Sequence, residues 1–289
     1  MTAESLAPEF HRVRTHYSRA HHRGRAFAEL CRLQISRVPI LVMIATAVAA
    51  DSGAGQIALS TLLIAMSCAF GATLNDLADV DSDRSNDRIE RPLVNGTLTR
   101  ADAGRLAAVL AAVVVVTQFV LPQPTTLLVS IAATVLAWAS ACRPLVLQER
   151  GLLGLVALGF AYFVLPVALV LGTEGIRAGA PIALLAAGVL AHKDVRDEHG
   201  DRLSGKRTLL VRVGYKKMSW IALATGVAGI IGCCIVQTPS WWLVPAVLSA
   251  TSLAVLVTGG HHRGVWLASR TALVTTGVLI GVGAAASTL

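Results

Sequence analysis

The chain of 289 residues is 54% hydrophobic and 15% charged, with a mean hydropathy of +0.65, which excludes an ordinary soluble domain. Its formal net charge of +8 sits on basic residues between apolar runs, so it argues for membrane orientation and against a nucleic-acid partner. The five cysteines (Cys31, Cys68, Cys142, Cys233 and Cys234) show no C-x-x-C spacing and predict free thiols without a disulfide or zinc framework.

Residues 1–33 are polar and basic, with Arg12, Arg14, Arg19, Arg23, Arg25 and Arg32, and have no apolar core of the signal-peptide kind. They are expected to form a cytoplasmic arm, flexible or lying against anionic lipid. From residue 34 to 289, apolar runs of bilayer-spanning length recur, which predicts one all-α polytopic membrane domain. Nine transmembrane helices fit, at about 34–50, 56–76, 103–121, 125–142, 152–172, 178–193, 218–236, 240–258 and 265–287. Pro122-Gln123-Pro124 reads as a tight turn between the third and fourth. Gly226, Gly229 and Gly232 allow close helix approach in lipid. Of the 25 lysines and arginines, Arg177 alone falls in or beside the loops after the odd-numbered spans. The positive-inside rule therefore puts the arm and the loops after the even-numbered spans in the cytoplasm.

The second span ends in Asn75-Asp76-Leu77-Ala78-Asp79-Val80-Asp81-Ser82-Asp83. Acids there are costly unless they serve a purpose. Asn75, Asp79 and Asp83 are four apart, so on a helix they drift only about 40° per step and share one face. An amide and two carboxylates on one face offer oxygen ligands to a hard cation such as Mg²⁺. Asp76 and Asp81 fall off that face and are expected to support it or to be solvated.

The sixth span ends in a second acidic run, Lys193-Asp194-Val195-Arg196-Asp197-Glu198-His199-Gly200-Asp201. Asp194, Asp197 and Asp201 again share a helical face. Both runs read D-x-x-x-D-R, as Asp79/Asp83/Arg84 and Asp197/Asp201/Arg202. Two carboxylate faces at span ends, each followed by basic residues, suit a diphosphate bridged by Mg²⁺. The substrate would pair a charged head with a long apolar tail, as a polyprenyl diphosphate does. Departure of the diphosphate would leave an allylic cation that a dry pocket protects.

The first run resembles the N-D-x-x-D-x-x-x-D motif of the UbiA superfamily of intramembrane prenyltransferases. Arg91-Pro92-Leu93-Val94-Asn95-Gly96 is similar to that family's R-P-L-x-x-G. The second run, continued by Gly205-Lys206-Arg207-Thr208-Leu209 and Gly214, is similar to its second motif. The K-D-x-x-D-x-x-G-D form is nearest to the homogentisate-type and digeranylgeranylglyceryl-phosphate-synthase-like branches. The resemblance implies nine helices around a central cavity and Mg²⁺-dependent prenyl transfer from a diphosphate to a small-molecule acceptor, expected to be aromatic. It further implies Asn75, Asp79 and Asp83 on one Mg²⁺-diphosphate, Asp197 and Asp201 on the other, and Asp194 as a neighbouring ligand. Asp79, Asp83, Asp197 and Asp201 would be catalytic, and Arg91, Lys206 and Arg143 would contact the diphosphate. For Arg143 a snorkelling helix-end role stands beside that one.

Two other readings compete. A terpene cyclase of the same superfamily would capture the cation with the prenyl chain's own double bond, which calls for aromatic walls, yet aromatics make up 5% of the chain. A transporter would use the acids as an ion path, but no predicted span carries one near its middle.

Overall fold

A computed structural model describes residues 23–120, 124–236 and 242–287, and within them every regular element is a helix. The chain opens with α1 (23–31), a 3-10 turn (Leu33–Ser36) and α2 (Arg37–Ala49). It continues through α3 (Ala54–Ala78), α4 (Val80–Ser85), α5 (Arg100–Val120) and α6 (Pro124–Ala141). The second half holds α7 (Leu152–Gly159), a π-helical turn (Phe160–Val164), α8 (Leu165–Leu171), α9 (Thr173–Gly179) and α10 (Ile182–Leu190). A 3-10 stretch (Ala191–Arg196), α11 (Glu198–Leu203), α12 (Leu209–Val236), α13 (Leu243–Gly259) and α14 (Arg263–Ala286) complete it.

Five stretches among the described residues are long and apolar enough to cross a bilayer: Arg23–Ala49, Ala54–Ala78, Leu152–Leu171, Leu209–Val236 and Arg263–Ala286. A sixth arises if α9 and Ile182–Arg196, bent by 52°, form one broken span. Thr126–Ala141 and Leu243–Gly259 are apolar but short. The expected count of nine is therefore not reached by length and composition, although each predicted run has a helical counterpart. The sixth predicted span is the one most altered. Pro181 has no backbone N–H to give, and the chain bends between α9 and α10 before it reaches the second acidic run. The turn expected at Pro122-Gln123-Pro124 falls mostly outside the described residues.

Of the arm expected over residues 1–33, the structure describes residues 23–33. Residues 1–22 lie outside the described region, but α1 is ordered by its own apolar face. Ala26 and Leu30 are buried against Val80, Leu93, Leu98 and Ala103, beneath the polar loop that follows the first acidic run. Elsewhere large apolar side chains such as Phe119, Leu128, Ile235 and Val244 are exposed along the helices. Lipid is the medium that makes such a surface stable, and the protein is an integral membrane protein.

The second half packs through glycines, as the sequence pattern of 226, 229 and 232 predicts. A Cβ on Gly229 would stand 3.0 Å from Leu185 Cα and 3.0 Å from the Pro181 carbonyl oxygen, both backbone atoms of the α10 segment that cannot step aside. Gly229→Ala should therefore push α12 off α10 and cost about 1–3 kcal/mol. A lowered thermal midpoint in detergent would register it.

Candidate active site

Both acidic runs depart from a continuous α-helix, and they do so at the same place. α3 ends at Ala78, and Asp79 adopts φ −95°, ψ 5° before α4 starts. The 3-10 stretch ends at Arg196, and Asp197 adopts φ −101°, ψ 3° before α11 starts. The two six-residue helices α4 and α11 then lie against each other. The face-sharing expected on continuous helices thus becomes convergence across a break in each chain segment.

Two contacts set the junction, and others reach across beside it. Ser82 Oγ donates to Asp201 Oδ1 at 2.7 Å in a buried setting. The Gly200 N–H donates to Asn86 Oδ1 at 3.0 Å, and a Cβ at Gly200 would displace the Asn86 amide from this contact. Across the open side, Lys206 Nζ donates to Asp79 Oδ1 at 2.9 Å, with Gln148 Nε2 on the same oxygen at 3.4 Å. Arg88 donates to Asp197.

Asp83 stands among these groups. Burial first, then the charges of Asp79 and Asp197, push its carboxyl up to about 6, with Lys206 and Arg88 pulling the other way. Burial likewise raises Asp201, partly offset by the Ser82 hydroxyl. Burial alone would lower the Lys206 ammonium, but bonded Asp79 outweighs it and the net shift is upward. Asp194 pairs with its neighbour Lys193 and lies close enough to Asp201 to raise it. Asp79, Asp83, Asp197, Asp201, Asp194 and Lys206 thus form one electrostatically connected set.

Three expected site residues stand differently. Arg91 is half-buried and donates to Asp76 Oδ1 at 3.1 Å, so its guanidinium is committed to a carboxylate. Arg143 is exposed and has no ion pair among the described residues. Asn75 lies one helical turn inside, where its Oδ1 is buried without a hydrogen-bond partner. Of the two off-face acids, Asp81 is 76% exposed, as a solvated group should be. Asp76 is only 3% exposed and is shared by Arg32 and Arg91.

Asn75 also lines a cavity of about 130 Å³. Its walls are Ile35 and Pro39 at one side, Leu63 and Gly71 of α3, Ala133 of α6, and Leu165 of α8, among others. From Asn75 to Leu63 the cavity follows α3 for roughly 18 Å at 1.5 Å per residue. The π-helical turn adds a residue to the span and carries Tyr162 into the wall. Tyr162 is the one aromatic among the described lining residues.

Oxygen donors of this kind fit a hard divalent cation, and the unpartnered Asn75 Oδ1 and the charge crowding at Asp83 are what such an ion would relieve. Among the described residues no three carboxylate, histidine or cysteine side chains converge on one point, and two of the carboxylates are paired with cations, Asp79 with Lys206 and Asp197 with Arg88. A pH dependence follows. As a metal ligand Asp83 would have to be ionised, and with its pKa at about 6 the carboxylate form falls to about one-tenth at pH 5. The affinity of the ligand-free protein for Mn²⁺ should weaken about tenfold between pH 7 and pH 5, as titration calorimetry would report.

Fold and sequence together define a polytopic helical membrane protein with a duplicated aspartate motif, whose first copy contributes Asn75 to the wall of an apolar cavity. The UbiA prenyltransferase family model matches residues 37–285, and the chain belongs to that family. It is 29% identical over 177 residues to digeranylgeranylglyceryl phosphate synthase of Thermococcus gammatolerans, covering 59% of this chain and 61% of that one. It is 27% identical over 215 residues to the synthase of the same name from Methanoculleus marisnigri, covering 71% of this chain and 74% of that one. The chain thus aligns with about three-fifths of the Thermococcus relative's length. The fold is similar to that of a UbiA homolog from Archaeoglobus fulgidus bound to GPP and Mg²⁺, with TM-score 0.68, 16% identity, and coverage of 91% of this chain and 99% of that one. The apo structure of a UbiA homolog from Aeropyrum pernix K1 gives TM-score 0.64 at 19% identity, covering 89% and 99%.

Proposed function

We propose that the protein is a Mg²⁺-dependent intramembrane prenyltransferase that moves a prenyl group from its diphosphate to a small-molecule acceptor and releases diphosphate. The observation that carries this reading is the meeting of two aspartate motifs, from α3–α4 and from the 3-10 stretch and α11, the first of which contributes Asn75 to the wall of an apolar cavity. The head of the donor would lie among the carboxylates and its tail along α3 toward Leu63. Asn75, Asp79 and Asp83 would hold one Mg²⁺, and Asp194, Asp197 and Asp201 the other. Bound Mg²⁺ neutralises charge that develops on a leaving diphosphate. Lys206 would donate to the same phosphate oxygens, being already aimed into the cluster. Arg91 would act from behind Asp76, and Arg143 from the rim. The apolar wall excludes water from the allylic cation until the acceptor attacks. The motifs and the basic loops would face the cytoplasm.

The single aromatic in the described cavity wall favours transfer over cyclisation, which needs several rings to guide successive cations. The names of the relatives specify a digeranylgeranylglyceryl phosphate product, so glyceryl phosphates belong beside aromatic acceptors in any trial. The test is diphosphate release by purified protein in detergent, with prenyl diphosphates of several lengths, with and without Mg²⁺ and an acceptor panel. Release that requires both Mg²⁺ and an acceptor is the expected result. Release with Mg²⁺ alone, leaving a hydrocarbon, would make it a cyclase, and no release at all would overturn the reading.

A further inference from the structure

The turn between α6 and α7 and the connection between α11 and α12 each send one side chain to the same atom. Gln148 Nε2 and Lys206 Nζ both donate to Asp79 Oδ1, at 3.4 Å and 2.9 Å. Arg212, on the first turn of α12, ties the two carriers together. Its Nη2 donates to the Glu149 carbonyl at 2.7 Å and its Nε to the Arg207 carbonyl at 2.9 Å. Each of those residues directly follows the one that reaches Asp79. Arg150 braces the first carrier again, through Nε to the Leu145 carbonyl at 2.9 Å and Nη2 to the Pro144 carbonyl at 3.2 Å. Val146 sits within that brace at φ 40°, a left-handed conformation that a β-branched residue adopts only under constraint.

Both guanidiniums are exposed, and neutral carbonyls fix them in place without cancelling their charge. No acid occurs between Arg202 and Lys217, and Lys216 and Lys217 add two more exposed cations. The helix surface that follows them is apolar. Trp220 lies four residues after Lys216 and three after Lys217, so it shares their side of α12, and it is 55% exposed. Leu153, on the first turn of α7, is 59% exposed, and Leu145 is exposed in the loop before it. α7 and α12 meet through Leu155 and Met218 in one buried cluster. An interfacial tryptophan and exposed leucines beside fixed cations fit a bilayer surface that carries anionic headgroups. We propose that this rim of α7 and α12 binds anionic phospholipid, and that the bound headgroups steady the two connections that aim Gln148 and Lys206 at Asp79. The second half rests on the prenyltransferase reading above, whereas the lipid site does not. Lipid charge then sets how fully the first aspartate motif is assembled for turnover.

The test places the full chain in nanodiscs of phosphatidylcholine, alone or mixed with phosphatidylglycerol. Brominated phosphatidylglycerol should quench Trp220 fluorescence about fivefold more effectively than brominated phosphatidylcholine, the worth of one cation beside an anionic surface. Trp220→Phe supplies the background from the other tryptophans. Lys216→Gln combined with Lys217→Gln keeps Trp220 in place and should bring the two lipids close to level. Diphosphate release by the wild type should rise about fivefold when phosphatidylglycerol is added, the low end of a site-to-site coupling. The lysine double variant should show little of that rise, which separates the site from the general charge of the bilayer. Arg212→Lys keeps the charge but has no fork to hold two carbonyls, so it should retain the lipid preference and lose the rise in rate. Equal quenching by the two lipids in the wild type overturns the proposal. So does a rate that ignores phosphatidylglycerol, or an Arg212→Lys variant that responds as the wild type does. No release in either bilayer overturns the prenyltransferase reading and the coupling with it, and the quenching then decides the lipid site by itself.

Discussion

Asp79→Ala should lower Mg²⁺-dependent diphosphate release by on the order of 10²- to 10³-fold, the scale seen when one preorganised charge-stabilising group is removed from an active site. The side chain is 22% exposed, and its Oδ1 receives both Lys206 and Gln148. Losing it removes an oxygen from the proposed metal face and releases Lys206 toward Asp201 and Asp194, which already act on it. Asp197→Ala should match it, because Asp197 holds the equivalent broken-helix position in the second motif. Asp81→Ala is the control. That side chain points to solvent, with Arg84 at 3.5 Å as a loose partner, and its loss should change the rate less than twofold. Rates would come from phosphate-coupled detection of released diphosphate, with thermal midpoints measured on the same samples. Near-normal turnover in both the Asp79 and Asp197 variants would remove the basis of the site. An Asp81 variant as inactive as they are would mean that the ligand face has been misplaced.

The duplication that identifies this site is legible in the sequence, because D-x-x-x-D-R occurs twice after apolar runs and carboxylates there are expensive. The helical arithmetic applied to it is less faithful. It assumes one continuous helix through Asn75, Asp79 and Asp83, whereas the chain breaks at Asp79 and starts again at Val80. The break is tertiary in origin. Ser82 and Asn86 must meet Asp201 and Gly200, which lie 119 and 114 residues away, and no local pattern encodes a partner at that distance. Arg88 is a different case. Its offset from Asp83 equals that of Lys206 from Asp201, so the repeat itself carried the signal, in a register that runs five residues past the last aspartate. Gln148 carried no signal at all. It reaches Asp79 from the turn between α6 and α7, and a glutamine in a basic loop looks like any other.

Asp76→Ala should be the most damaging single change to stability, because Asp76, a residue expected to support the ligand face or to be solvated, holds two elements together. Arg32, at the turn between α1 and α2, and Arg91, in the loop after α4, both end on this one carboxylate. Those guanidiniums are only about a fifth exposed, at 23% and 21%. Burial already lowers the pKa of Arg91, with Asp197 working against that, so its charge is costly even when paired. Removing the anion leaves two poorly solvated cations facing each other, and breaking such a buried arrangement costs about 3 kcal/mol or more. For a chain of this size that is a fall of roughly 6–12 °C in thermal midpoint, read by tryptophan fluorescence in detergent. The mechanism has its own signature. Arg32→Leu combined with Asp76→Ala should recover part of the loss, since one stranded charge is then replaced by apolar packing beside Leu30. If Asp76→Ala melts with the wild type, the carboxylate is not the tie between α1 and the loop that carries Arg88 and Arg91. The apolar contacts of Leu30 with Leu93 and Leu98 would then have to hold that loop over the site without it.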